Sequence, residues 1–85
     1  MSVGAGTLAD LPLGIRAVLD QPRLPTARAR QLAELGLRAG CEVRALVRTP
    51  GGGRVVAIGD IRLALDRSVL AALPVRPPTT AGPAT

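Results

Sequence analysis

The sequence has no histidine, no aromatic residue and no lysine, and it has one cysteine, Cys41. Without histidine, the commonest general base of enzymes and the commonest metal ligand are both missing. A single thiol cannot complete a cysteine-ligated zinc or iron–sulfur centre, so Cys41 is predicted to pack as a small apolar residue. The six acidic residues are scattered along the chain. We therefore expect no enzymatic activity, no cofactor and no metal site.

Long apolar runs and targeting signals are also absent. No segment reaches the ~20 apolar residues that span a bilayer. The first residues lack the basic and apolar regions of a signal peptide, so we expect a cytoplasmic protein. The 85 residues are enough for one small domain of modest stability. Because aromatic residues are missing, its core must consist of Leu, Ile, Val and Ala.

The charge is strongly basic, since eleven arginines and six acidic residues leave a net charge of +5. This balance is compatible with an acidic partner or an anionic membrane surface. Small barrels that bind single-stranded nucleic acid usually stack bases on aromatic side chains, and this chain has none. No nucleic-acid partner is therefore expected, and binding to a duplex backbone is an alternative that rests on charge alone.

Alternating apolar and polar residues predict about five short strands. Ile15, Val47 and Ile61 are expected to point inward with the other apolar residues of their strands. Gly59-Asp60 has the sequence of a two-residue hairpin turn. Closing such strands into a small barrel would protect their edges. The strands are expected over residues 15–20, 41–48, 55–58, 61–66 and 73–75.

One longer helix is predicted over residues 27–35, with Thr26 as its N-cap. Gly36 is expected to end it, because glycine adopts a left-handed conformation without a steric clash. Leu37 should then pack back on the helix. The following Ala39–Gly40 pair predicts a type II turn that leads into the next strand.

The faces of this helix are predicted to differ. Ala29, Leu32 and Leu35 form an apolar stripe that is expected to dock on the sheet. Arg30 and Glu34 lie four residues apart on the opposite face and can pair, in the less favourable order. The outward face is therefore open to a functional interpretation.

The remaining segments define the predicted domain bounds. Residues 1–6 are expected to be flexible, residues 7–76 to form the domain, and residues 77–85 to be a disordered tail. The Thr7–Asp10 segment resembles a capping box and predicts a short helical turn. Asp66 is predicted to cap a second short helical turn that follows it.

Pro50, Gly51, Gly52 and Gly53 form a glycine-rich loop between two predicted strands. A phosphate-binding loop would need a following Gly-Lys-Ser/Thr and a helix, and the sequence has neither. The loop is predicted to be either a mobile partner contact or a plain hairpin loop.

Three stretches together resemble the ferrous-iron transport protein A family. Residues 30–43 resemble its core pattern R-x-L-x-x-L-G-[LM]-x-x-G-x-x-V, and residues 7–14 resemble its opening L-x-D-L-P-x-G. Residues 61–67 resemble its closing strand. The three stretches occur in the family's order and span residues 7–76. The glycine-rich loop departs from the family's P-L-G-[DG]-P pattern, because Gly51, Gly53 and Arg54 replace its Leu, its Asp and its second Pro.

The resemblance implies an SH3-like β-barrel of about five strands with one short helix. It also implies a non-enzymatic accessory protein of ferrous-iron uptake. The implied partner is the cytosolic domain of a GTP-binding membrane permease, with no small-molecule substrate. The same module also occurs as the C-terminal domain of metal-dependent transcriptional repressors. That alternative is disfavoured because the chain has no DNA-reading helix pair. Self-association is a further alternative.

Candidate partner contacts are the outward face of the helix, the corner that follows it and the glycine-rich loop. Each would present polar groups or exposed backbone to a partner. The candidates are Arg28, Arg30, Gln31, Glu34, Arg38, Pro50, Gly51, Gly52 and Arg54.

Overall fold

A computed structural model describes residues 6–78 of the chain, so the predictions for residues 1–5 and 79–85 lie outside the described residues. Five strands, two short α-helices and one 3₁₀ turn follow one another along this part. The elements are β1 (Arg16–Leu19), α1 (Thr26–Glu34), β2 (Glu42–Arg48), the 3₁₀ turn (Pro50–Gly52), β3 (Arg54–Ile58), β4 (Ile61–Leu65), α2 (Arg67–Ala71) and β5 (Val75–Arg76).

The strands form one antiparallel sheet in the order β4-β3-β2-β1-β5, which confirms the mainly-β prediction. Strands β2, β3 and β4 are neighbours in sequence and in space, and β5 returns to the far side of β1. In the described part β4 and β5 do not pair with each other, so the sheet is barrel-like without a closed ladder of hydrogen bonds.

The core lies on one face of the sheet and is covered by both helices. Leu32 of α1 and Leu70 of α2 are buried against the inward residues of the strands. The buried apolar side chains among residues 6–78 are all aliphatic, as the missing aromatic residues required. The largest fully buried side chains are Leu8, Leu19, Leu37, Leu70, Leu73, Val43 and Val56.

The end of α1 has the geometry that its sequence predicted. Gly36 has a φ of 101°, and its N–H donates to the Ala33 carbonyl at 2.9 Å. The Leu37 N–H donates to the Leu32 carbonyl at 2.9 Å, and Leu37 is fully buried. These two bonds form a Schellman motif, which satisfies the last carbonyls of the helix.

The turn after this motif is also confirmed. Gly40 has a φ of 92°, and the Cys41 N–H donates to the Arg38 carbonyl at 3.1 Å. A positive φ at the third position of the turn is the type II geometry. The chain thus reverses direction and enters β2.

The start of α1 and the position of Leu35 differ from the prediction. The N-cap is Pro25, with no side-chain capping bond, and Thr26 is the first helical residue. Leu35 is 42% exposed instead of buried. It is the C-cap residue, where the chain leaves the helical path, so the stripe of Ala29 and Leu32 does not continue through it.

A β-bulge reverses the alternation in β2. Ala45 pairs with Val56, but Val47 pairs with Val55, so Leu46 is an extra residue on this strand. Val47 is consequently 49% exposed, against the prediction that it faces inward. Ile15 and Ile61 are exposed as well, because one precedes β1 and the other begins an edge strand beside the hairpin turn.

The two ends of the described domain are tied together. Thr7 forms an isolated antiparallel bridge with Pro74. The Leu8 N–H donates to the Leu73 carbonyl at 3.0 Å, and the Val75 N–H donates to the Gly6 carbonyl at 3.0 Å. Gly6 therefore takes part in the hydrogen bonding of the domain.

Candidate partner-binding surface

The outward face of α1 is fully accessible. Arg28, Arg30, Gln31 and Glu34 are all exposed, whereas Leu32 on the opposite side is buried. Arg30 and Glu34 do not form the ion pair that their spacing allows, since the pairs found among residues 6–78 are Arg16–Glu42 and Arg76–Asp20. No ion pair found among residues 6–78 involves the charged groups of this face.

Arg30 and Arg38 come together at one groove. This groove has a volume of about 250 Å³ and lies between α1 and the segments on either side of it. Its walls include the small side chains of Ala29, Ala33 and Ala39, which leave room between the two arginines. Gln31 and Glu34 do not line it. Two of the predicted contact residues therefore share a concave site with a positive charge at each.

The glycine-rich loop is packed on one side. The Thr49 N–H donates to the Gly53 carbonyl at 2.9 Å and closes the loop. Gly53 is buried, and a Cβ there would lie 2.6 Å from Thr49 Oγ1 and 2.7 Å from the Leu65 carbonyl oxygen. Pro50, Gly51 and Gly52 remain exposed. The loop thus presents three residues on a fixed base.

Arg28 and this loop both neighbour the start of α2. The Asp66 carboxylate accepts a hydrogen bond from the Val69 N–H at 3.0 Å and another from the Ser68 hydroxyl at 2.9 Å. These bonds, chiefly the one from Val69, lower the pKa of Asp66, and the positive charge of Arg28 adds to the shift. A Cβ at Gly52 would lie 3.1 Å from Arg67 Cδ. Arg28 and Gly52 therefore flank the same helix terminus.

Arg54 is the exception among the predicted contact residues, because it is only 8% exposed. Its Nη1 donates to the Leu8 carbonyl at 3.0 Å and also to the Leu11 carbonyl. The side chain is thus occupied in holding the N-terminal turn. Strand β3 begins at Arg54, one residue earlier than predicted. Arg54 therefore lies on the same face of the strand as the inward-facing Val56 and Ile58, and this alternation in the sequence could have indicated its burial.

Two further grooves were not predicted. One has a volume of about 430 Å³ and lies between the N-terminal turn and strands β1 and β5, with Leu11, Ile15 and Val75 in its mostly apolar lining. The other has a volume of about 230 Å³ and lies on the outer sheet face. Three arginines from different strands line the second groove. Because they are far apart in the sequence, no local sequence pattern indicates that they form a cluster.

Neither a metal cluster nor a membrane-crossing helix is found within residues 6–78. No three histidine, cysteine or acidic side chains converge there. Cys41 is half-buried and packs against the core. No helix in this part of the chain has both the length and the apolar character needed to cross a bilayer.

The sequence profile of the FeoA domain matches residues 6–77, which is nearly the whole described fold. The chain belongs to the FeoA family. This membership supports an accessory role in ferrous-iron transport. A comparison with curated protein sequences gives no match.

Solved structures agree with this assignment. FeoA of Stenotrophomonas maltophilia, a zinc complex described as a prokaryotic SH3 domain protein, is 38% identical with a TM-score of 0.68, covering 81% of this chain and 87% of that chain. FeoA of Chlorobium tepidum is 26% identical with a TM-score of 0.77, covering 92% of this chain and 73% of that chain. The fold is therefore SH3-like, as the resemblance implied.

The fold also occurs in a different class of protein. A manganese-dependent transcriptional repressor has a TM-score of 0.77 at 20% identity, and the match covers 91% of this chain but 44% of that chain. At this identity the likeness shows the fold alone.

Proposed function

We propose that this FeoA-family protein is a cytoplasmic, non-enzymatic accessory protein of ferrous-iron uptake that binds the cytosolic domain of the ferrous-iron permease and modulates transport. The observation that carries the proposal is the family match over residues 6–77. The S. maltophilia relative is described as a candidate activating factor of bacterial ferrous-iron transport. A factor of this kind can act by direct contact with the transporter, as the family resemblance implies.

The exposed groups around α1 are the proposed contacts. The groove between Arg30 and Arg38 is concave and positively charged, which suits a carboxylate or another acidic group of a partner. The exposed part of the glycine-rich loop lies on a fixed base, so little conformational entropy would be lost there on binding. The proposed contact residues are Arg28, Arg30, Gln31, Glu34, Arg38, Pro50, Gly51 and Gly52.

A second candidate function is a protein-interaction module of the kind found in metal-dependent repressors. The observation that favours it is the TM-score of 0.77 to the manganese-dependent repressor. In that case the natural partner would be a DNA-binding domain or a second copy of the chain.

The two functions are separated by a binding experiment. The purified chain is titrated with the purified cytosolic domain of the permease by isothermal titration calorimetry, with and without GTP. We expect saturable binding with a defined stoichiometry. Absence of binding would overturn the proposal, and self-association of the chain under the same conditions, measured by analytical ultracentrifugation, would then favour the second function.

A further inference from the structure

The antiparallel register places three arginines in one row across the sheet. Arg16 of β1 lies opposite Arg44 of β2, Arg44 lies opposite Ala57 of β3, and Ala57 lies opposite Arg62 of β4. Residues directly opposite each other in an antiparallel pair point to the same face. The row therefore crosses four strands on one surface, and we call it the arginine row.

The arginine row lies on the outer face, away from the core. The neighbours of its members along the strands, Ala17, Val43 and Val56, are buried in the core. Adjacent strands are about 4.8 Å apart, and β3 lies between the strands of Arg44 and Arg62, so the backbones at these two residues are about 10 Å apart. The small Ala57 between them is half-buried and forms the floor of the groove of about 230 Å³.

The charge on this face is largely uncompensated. Glu42 is the acidic residue of the groove, and its carboxylate lies 3.4 Å from Arg16 Nη1. No ion pair among residues 6–78 involves Arg44 or Arg62. Like charges placed directly opposite in a sheet are destabilising, and Arg16 and Arg44 are such a pair. A bound anion between the strands would relieve this repulsion.

We propose that the arginine row is a docking surface for an acidic, amphipathic segment of a partner protein. Carboxylates of the segment would bind the guanidinium groups of Arg44 and Arg62, which can each form two parallel hydrogen bonds with a carboxylate. Apolar side chains of the segment would cover Ala57 and the half-buried Leu46, which also lines the groove. The proposal rests on the proposed function, since it assigns this segment to the cytosolic domain of the permease.

The surface fits a protein segment better than nucleic acid or a lipid surface. Binding of single-stranded nucleic acid is disfavoured because the chain has no aromatic side chain on which a base could stack. Insertion into a bilayer interface needs protruding apolar side chains. Of the large apolar side chains exposed among residues 6–78, only Val47 occupies an outward strand position on this face, and Leu46 and Ala57 are half-buried in the lining of the groove, where a side chain of a partner can reach them.

The test compares two doubly substituted proteins that have the same net charge. Arg44→Glu with Arg62→Glu reverses the arginine row. Arg23→Glu with Arg48→Glu reverses two exposed arginines outside it, and Arg48 lies about 13 Å from Arg44 along β2. Affinity for the cytosolic domain is measured by calorimetry. We expect the first protein to bind at least about tenfold more weakly than the second.

The outcomes separate the two proposals. If the wild-type protein does not bind the domain, the proposed function is overturned, and this inference with it. If the wild-type protein binds and the two doubly substituted proteins are equally weakened, only the docking surface is overturned. Binding of the wild-type protein to duplex DNA or to phosphatidylglycerol vesicles at physiological salt that exceeds its binding to the domain would also overturn it.

A second measurement does not depend on the folding of a variant. Amide chemical shifts of the wild-type protein are followed by NMR as the cytosolic domain is added. We expect the largest changes at Arg44, Ala57 and Arg62. Changes confined to α1 and the glycine-rich loop would overturn the docking surface while supporting the proposed function.

Discussion

Arg54 lies at the start of a strand in the interior, with its guanidinium against the carbonyls of Leu8 and Leu11. Among residues 6–78, no backbone N–H donates a hydrogen bond to either of these carbonyls of the N-terminal turn. A charged donor is a stronger partner for a carbonyl than a neutral one. The long side chain thus joins a turn to a strand that is more than forty residues away in sequence.

Replacing Arg54 by alanine is expected to destabilise the fold. The substitution leaves the Leu8 carbonyl unpaired and removes packing, and we expect a loss of about 2–4 kcal/mol in the free energy of unfolding. Urea unfolding followed by circular dichroism measures it. Arg48→Ala, at the exposed residue opposite in the register, is the control and should change stability by less than about 0.5 kcal/mol. Equal stability of the two variants would show that the bonds of Arg54 are dispensable.

Asp66 predicts a dependence of stability on pH. Its pKa is lowered in the fold by the Val69 N–H and the Ser68 hydroxyl, so the charged carboxylate is the form that stabilises α2. This contribution is present above the pKa of the unfolded chain, about 3.9, and is lost as the pH falls through the lower folded pKa. Asp66→Asn keeps a capping acceptor without the charge. We expect it to melt below the wild-type protein at pH 7, with the difference shrinking below about pH 4. Asp60→Asn is the control, and a constant difference across this range would contradict the assignment.

At the scale of elements, the corner from α1 to β2 carries the strongest agreement between sequence and structure. The Schellman bonds at Gly36 and the turn at Gly40 follow from local rules, because each needs one glycine with positive φ. The hairpin at Gly59–Asp60 is local in the same sense, and β3 and β4 pair on either side of it. Such features involve few residues close in sequence, so a single sequence specifies them.

Gly36 offers a direct test of this corner. A Cβ there would lie 3.6 Å from Ile58 Cγ2, which is an ordinary contact. The expected loss of stability on substitution therefore comes from the positive φ of the backbone and not from a steric clash with a neighbour. Gly36→Val should lower the free energy of unfolding by at least about 1–2 kcal/mol, because a β-branched residue resists positive φ. Gly36→Asn should lower it less, since asparagine tolerates that conformation. Thermal melts of both variants measure this order, and a valine variant as stable as the asparagine variant would rule out a backbone cause.

The bulge in β2 shows what periodicity alone does not specify. Leu46 adds one residue to the strand, and Val47 turns outward although the apolar pattern places it inward. A bulge depends on the pairing with β3, which a local sequence pattern does not contain. The exposure of Leu35 and the burial of Arg54 have similar origins. The first depends on where the helix ends and the second on a turn distant in sequence.

At the scale of the whole molecule, the candidate contacts divide between two surfaces. The sequence predicted the exposed face of α1, because helical periodicity places polar residues on one side. It gave no sign of the arginine row, because Arg16, Arg44 and Arg62 are far apart in the chain and only strand register aligns them. Local patterns can therefore indicate a contact surface on a helix but not one assembled across a sheet.

Arg30 tests the helix side of the molecule. Arg30→Glu reverses the charge at the groove that it shares with Arg38, and we expect affinity for the permease's cytosolic domain to fall by about tenfold without a change in melting temperature. Arg23→Glu makes the same charge change outside the groove and should bind like the wild-type protein. Calorimetry measures both affinities. If Arg30→Glu binds no more weakly than Arg23→Glu, the groove is not part of the contact.

The bridge between Thr7 and Pro74 has a consequence for how the domain is used in longer proteins. Because its entry and exit points are adjacent, the domain can be inserted into a surface loop of another protein with little separation of that loop's ends. The same adjacency predicts that a circularly permuted chain, with a short linker across the bridge and new termini at an exposed turn, retains the fold. A module with this arrangement can be transferred between proteins without redesign of its core.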